Sequence, residues 1–217
     1  MGLNHSPSIV TNGLTLYLDS VNSKSYPGSG TTWTNLSTNT NSLTLVSSPS
    51  LGANNIFSFN GSTQYASTSN NLLNSTAYTK CAWFQTQNLA ATNNIMSGNN
   101  GQHAFWLSSG DKLNSGHNGS WYIVQSNTSL LANRWYFGAV TFSTTTGWAL
   151  YLNGLLEDTD VATTTFTGTG DVQVAAYGNP PSYNFLGQIN GVFVYDRVLT
   201  AAEIQQNFNA TRGRYQL

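Results

Sequence analysis

Charge is what this sequence has least of. Seven lysines and arginines and eight aspartates and glutamates make up 7 % of its 217 residues, against about 25 % in ordinary globular domains. A net charge of −1 carried by so few groups leaves no basic footprint for nucleic acid or for an anionic membrane surface, so neither is an expected partner. No apolar run approaches the roughly 18 residues that cross a bilayer. The opening MGLNHSPSIV has neither the charged start nor the apolar stretch of a secretion signal, so classical export is not expected. Cysteine is reduced to Cys81, which excludes an internal disulfide; its place in the alternating TKCAWF marks a buried structural thiol.

What is present is neutral and polar. With 27 Asn, 27 Thr and 25 Ser, small neutral side chains must cover the surface that Lys and Glu usually cover, and they favour strands and turns over helices. Hydrophobic residues at 39 % and aromatics at 12 % suffice for a full core, so charge-rich disorder is excluded. Turn signals recur along the chain, at Asn12-Gly13, Pro27-Gly28, Asn60-Gly61, Asn100-Gly101, Ser109-Gly110, Asn118-Gly119, Asn153-Gly154, Asn179-Pro180 and Asn190-Gly191. Between them lie alternating or aromatic-rich segments such as LTLYL, IFSFN, KCAWF, HAFWL, WYFGAVTF, WALYLN and GVFVY, the pattern of an antiparallel sandwich or barrel. Ser143 to Gly147 and then Asn153-Gly154 predict two successive hairpins. Thr200-Ala-Ala-Glu203 is a capping box, followed by Ile204 and Phe208 at i, i+4; it predicts a short amphipathic helix over about 201–209 that packs one edge onto the sandwich. No linker divides the chain, which reads as an arm over residues 1–12 and a single domain over 13–217.

Five blocks carry a resemblance: GLTLYLDSVNSKSYPGSGTTWTNLS, FSFNGSTQYAS, CAWF, NRWYFGAVTFSTTTGWALYLNG and FLGQINGVFVYDRVLTAAEIQQNF. In this order, from Gly13 to Phe208, they resemble the concanavalin A-like, laminin G-like jelly rolls, particularly the pentraxin-related subgroup. The most specific pieces are the LYLNG hairpin and the closing Gly187-x-Ile189, Tyr195-x-Arg197-x-Leu199-Thr200 and Glu203-Ile204 pattern. The opening block looks especially like domains of bacteriophage virion proteins and bacterial surface proteins. The resemblance implies an all-β antiparallel jelly-roll sandwich of two sheets, roughly 12–14 strands in all, with adjacent terminal strands and one short C-terminal helix. It also implies glycan or protein binding, with calcium in some members and glycoside hydrolysis in a few subfamilies.

Fold does not settle function, so the residues must. Hydrolysis of a glycoside needs two carboxyls about 5–9.5 Å apart, and the hydrolase branch resembles a Glu-x-Asp-x-Glu or Glu-x-Asp-x-x-Glu strand that this chain lacks. Glu203 is a capping residue, while Glu157 and Asp158 sit in LLEDTD, read as a solvated edge. No Gly-x-Ser-x-Gly elbow accompanies the histidines, and no catalytic residue is expected. For calcium the candidate ligands are Asp19 and Asp196, because the terminal strands pair in this family; after the closing Gly-x-Ile, where relatives often carry an acid, stand Asn190 and Gly191.

Aromatic platforms beside amide donors suit sugar faces and hydroxyls. One such region holds His103, Trp106, Asp111, His117, Asn118, Trp121 and Tyr122; a second, AYGNPPSYNF, holds Tyr177, Asn179 and Tyr183. The competing reading makes Trp106 and Trp121 sandwich core, and places His103 on the apolar face of Phe105 and Leu107. The function expected is that of a non-enzymatic phage virion protein, a capsid decoration, head fibre or tail adhesin at the virion surface. Its partners would be capsid or tail proteins or cell-surface glycans, and it would assemble as an oligomer or on a lattice. The alternatives are a free lectin-like module of a bacterial surface or secreted protein, and a polysaccharide hydrolase.

Overall fold

The computed structural model describes residues 7–52, 54–98 and 102–216; the Asn100-Gly101 turn signal lies outside them. Among the described residues sixteen strands pair antiparallel. In chain order they are β1 (Leu14–Leu18), β2 (Thr32–Trp33), β3 (Leu43–Val46), β4 (Ser50–Leu51), β5 (Phe57–Asn60), β6 (Tyr65–Thr68), β7 (Ala77–Thr86), β8 (Asn93–Ser97), β9 (His103–Leu107), β10 (Leu113–His117), β11 (Ser120–Gln125), β12 (Tyr136–Ser143), β13 (Gly147–Leu152), β14 (Leu155–Asp160), β15 (Val172–Val174) and β16 (Leu186–Tyr195). One sheet runs β14-β13-β12-β7-β16-β5-β4 with β1 also on β16, and the other runs β11-β10-β9-β8-β15-β6-β3-β2. The count exceeds the expected 12–14 because β2, β4 and β15 have only two or three residues each, too few to leave a periodic trace in sequence.

Alternation decides which residues meet between the sheets. In β5, Phe57 and Phe59 are buried in the main core while Ser58 faces away, as a period of two requires. The Asn-Gly turns fold as their chemistry dictates. Asn118 and Gly119 have φ of 54° and 86°, and Asn153 and Gly154 have 52° and 81°, both residues left-handed as a type I′ turn demands. At Asn12-Gly13 and Asn60-Gly61 only the glycine is left-handed, with φ of 75° and 70°, and Asn190-Gly191 is a correction to the turn reading. It lies inside β16, where a bulge between Asn190 and Phe193 interrupts the pairing with β7. Gly191 takes φ of 53° there, and a Cβ on it would stand 3.0 Å from Cδ1 of Trp83.

The helix α1 (Ala201–Thr211) begins at the expected capping box, with Thr200 and Glu203 exchanging hydrogen bonds. As expected, one edge of it packs on the sandwich, on the outer face of the first sheet. Ile204 is fully buried there, and Phe208 stacks 5.7 Å from Trp83. Strands β7 and β12 are therefore covered on both faces, which is why Cys81 is fully buried. Residues 8–10, read as part of an arm, are held against this helix. Val10 N–H donates to Asn207 Oδ1 (2.8 Å), Tyr195 Oη to Val10 O (2.9 Å) and Gln206 Nε2 to Ser8 O (2.7 Å). No helix of the described residues is long and apolar enough to cross a membrane.

Candidate functional site

The two aromatic regions, some sixty residues apart in sequence, meet in one cleft. Trp106, Trp121, Tyr122, Tyr177 and Tyr183 line it, together with Thr92, Asn94 and Ala104. Its volume of about 300 Å³ is at the lower end of small-ligand sites. Strands β8, β9 and β11 build the wall. On β9, Ala104 and Trp106 face the cleft while His103, Phe105 and Leu107 face the core, because successive side chains point to opposite faces.

A bulge supplies what alternation would forbid. In the β10–β11 pair, Ser115 lies opposite Val124 and His117 opposite Ser120, so Trp121 to Ile123 stand against Gly116 alone. The extra backbone brings the consecutive residues Trp121 and Tyr122 both to the cleft. Gly116 permits it, since a Cβ there would lie 1.9 Å from Ser120 O. The loop carrying the other two rings is closed by mutual backbone bonds between Tyr177 and Ser182, 2.9 Å each, and is tied to β8 where Asn94 N–H donates to Tyr183 O (2.8 Å).

The rings meet edge to face. Tyr122 packs on Trp106 with centroids 4.7 Å apart, Trp121 on Tyr177 at 5.6 Å and Tyr177 on Tyr183 at 5.9 Å. Trp106 Nε1 donates to Trp121 O (3.1 Å), which fixes that indole. Trp106 is buried at 6 %, while Tyr122 and Tyr183 are exposed at 63 % and 57 %, so the first forms floor and the others rim. Burial, with the neighbouring Tyr183, raises the Tyr177 phenol, which stays neutral. Thr92, Asn94 and Ala104 carry no sequence signal of their own; strand pairing sets Asn94 opposite Trp106, and Ala104 shares the face of Trp106 two residues along β9.

The remaining candidates go elsewhere. His103 and His117 are a correction, because both face the core. His103 Nε2 donates to Asp171 O (2.9 Å) and its Nδ1 accepts from Lys80 Nζ (3.3 Å); His117 Nε2 donates to Thr164 O (3.0 Å) and its Nδ1 accepts from Tyr78 Oη (3.2 Å). The carbonyl partners set these tautomers. Burial drives His103 well below the usual histidine range and His117 down to about 4, so both are neutral at pH 7. Their neighbour Lys80 was missed in sequence. It is fully buried on the inner face of β7, where it also donates to Ala104 O (3.2 Å). Asn118 braces a loop through Thr165 O, Thr167 N–H and Thr167 Oγ1. Asp111 sits left-handed (φ 60°) in the turn after β9, and Asn179 is exposed in its loop; neither lines the cleft.

The calcium candidates are also corrected. Pairing of β1 with β16 is antiparallel, with Leu14 opposite Tyr195 and Leu18 opposite Val192. Asp19, which follows one strand, and Asp196, which follows the other, therefore stand at opposite ends of the ladder. Asp19 is fully buried, paired with Arg214 and accepting from Tyr17 Oη (3.1 Å), Asn190 Nδ2 (3.1 Å) and Val21 N–H (3.2 Å). Among the described residues no group of three or more His, Cys, Asp or Glu is placed to hold a metal.

The acids of LLEDTD stitch the two sheets together. Glu157 accepts from Thr128 N–H and Oγ1, both at 2.8 Å, and Asp158 accepts from Gln125 N–H at 2.9 Å. Asp158 thereby joins β14 at the edge of one sheet to β11 at the edge of the other, and Glu157 ties β14 to the segment that follows β11. Glu203, besides capping α1, is paired with Arg197 (2.6 Å), whose guanidinium holds it down to about 2.

Two packed antiparallel sheets with an aromatic cleft on one outer face define a lectin-type β-sandwich. The chain belongs to the concanavalin A-like lectin/glucanases superfamily, whose Laminin_G_3 family matches residues 60–205. No curated protein sequence matches it. Among solved structures it is similar to botulinum neurotoxin type C, whose cell uptake depends on two ganglioside molecules, at 14 % identity and a TM-score of 0.68 over 91 % of this chain and 51 % of that one. It is also similar to the binding domain of botulinum neurotoxin DC, solved with SialylT (15 %, TM-score 0.66, 92 % of this chain and 52 % of that one) and with rat synaptotagmin II (15 %, TM-score 0.68, 93 % and 52 %). The chain spans about half the length of these neurotoxin chains, and at such identities the likeness is one of fold.

Proposed function

We propose that the protein is a non-enzymatic glycan-binding module that uses the aromatic cleft as its sugar site. The observation that carries this reading is the convergence of five aromatic side chains from two distant segments on one outward face. Sugar rings present C–H faces to aromatic rings and hydroxyls to amides and carbonyls, and the cleft offers both. Absence of catalysis is supported by the acids, since Glu157, Asp158, Glu203 and Asp19 are all engaged in structural bonds and none lines the cleft. The opening block supports placing the module on a phage particle, as a decoration, head-fibre or tail adhesin protein at the virion surface. There repetition on a lattice would raise the avidity of a small site.

A glycan array tests the site. Tyr122→Ala and Tyr183→Ala are each expected to weaken binding about ten-fold, the value of one stacking contact, with no change in melting temperature because both rings are exposed. EDTA is expected to leave binding unchanged. Wild-type protein that retains no glycan, or variants that bind like wild type, would sink the reading. Antibody labelling of purified virions in negative stain tests the location.

A further inference from the structure

We propose that the cleft selects neutral, hydroxyl-rich glycans and rejects sialylated and uronic acid-bearing ones; this rests on the reading of the cleft as a glycan site. The first support is electrostatic. All fifteen charged side chains of the sequence fall within the described residues, and none of them lines the cleft. A carboxylate bound there would leave water without a cation or guanidinium to replace its hydration. Burying an unpaired charge is far costlier than burying a hydroxyl that keeps a hydrogen bond.

The second support is the floor. Asn94 is 1 % exposed, and its Nδ2 donates to Ala176 O (2.6 Å), which Ser97 Oγ also approaches (2.8 Å). That carbonyl fixes which end of the amide carries the nitrogen. Asn94 Oδ1 is thereby left buried without a hydrogen-bond partner among the described residues. An unpaired amide oxygen beneath the floor adds negative potential there, repelling an anion and favouring inward-pointing O–H dipoles. Lys80 does not offset it. Its Nζ lies on the core side of the sheet, bonded to the carbonyl of Ala104, and burial lowers it to about 7.

The test uses an array of neutral oligosaccharides of galactose, glucose and N-acetylglucosamine, each beside a sialylated or uronic acid-bearing counterpart. Neutral members are expected to be retained and their acidic counterparts to bind at least about ten-fold more weakly. Raising NaCl is expected to leave the neutral signal unchanged, since no ion pair is screened. Thr92→Lys, which sets a cation at the half-exposed wall, is expected to improve the acidic members and shrink the difference to within about three-fold. Acidic members retained as well as neutral ones by wild type, or a Thr92→Lys protein with unchanged selectivity, would overturn the charge inference while leaving the glycan site standing. Retention of no member at all would overturn both. Neutral binding that survives both Tyr122→Ala and Tyr183→Ala would place the sugar elsewhere and overturn the inference as well.

Discussion

Replacing Asp19 by alanine is expected to cost the fold about 3–5 kcal/mol, the range for breaking a buried charge pair. The carboxylate has no solvent exposure and serves four donors at once: Arg214, Tyr17 Oη, Asn190 Nδ2 and the Val21 N–H. Alanine leaves these donors unpaired together, and an orphaned buried donor costs about 1–3 kcal/mol. The damage would spread through Asn190, which also holds Ser20 N–H (2.8 Å) and Tyr215 Oη (3.1 Å) and so joins the start of the chain to its end. Arg214→Ala is expected to cost a similar amount at pH 7, because it leaves the fully buried Asp19 carboxylate without its counter-charge. Urea unfolding of both variants checks this, and a loss below about 1 kcal/mol for Asp19→Ala would contradict the role assigned to the network.

The second large effect is in the response to pH. Wild-type stability is expected to rise by about 2 kcal/mol between pH 7 and pH 9, the reverse of what a surface lysine would do. Burial lowers Lys80 from 10.5 to about 7. Between those values the unfolded chain holds the lysine proton and the folded protein does not, so raising pH removes a penalty carried by the fold. Above about pH 9 the sign changes. Cys81, Tyr17, Tyr78, Tyr195 and Tyr215 are all raised by burial, so the unfolded chain ionises first. On the acid side His103 and His117 are lowered, the latter to about 4; below pH 6.5 the unfolded chain takes up protons that the core refuses, and stability falls. The optimum should therefore lie at about pH 9. Lys80→Met keeps the length of the side chain and removes the titration. Its urea midpoint should no longer rise from pH 7 to pH 9, and a variant that retained the wild-type slope would show that another group is responsible.

That pair of predictions marks where reading along the chain stops. Lys80 sits in KCAWF, a segment whose alternation correctly predicts a strand and a buried Cys81, yet the same alternation puts the lysine inward between Tyr78 and Ala82. Nothing in the residue type announces it, since a lysine ordinarily lies at the surface. The histidines are the converse case. The face shared by His103, Phe105 and Leu107 points to the core on periodicity alone, and the structure places His103 there. Asp19 and Asp196 follow strands that the resemblance already implied to be adjacent and antiparallel, and that direction puts the two acids at opposite ends of the ladder.

The cleft divides in the same way. Its aromatic residues stand out in a charge-poor sequence, and five of the ten candidate ligand residues reach it. The sequence by itself determined the all-β class, the Asn-Gly hairpins, the capped helix and the near absence of charged side chains, because these depend on steric alternation, local turn chemistry and composition. Only the tertiary structure decided that Trp121 and Tyr122 share a face, that Tyr177 and Tyr183 join them, and that Asn94 lies beneath. The physical reason is that a bulge, here three residues against Gly116 alone, sets consecutive side chains where strict alternation would not. Contacts between segments sixty residues apart are likewise set by strand register, which no local pattern carries.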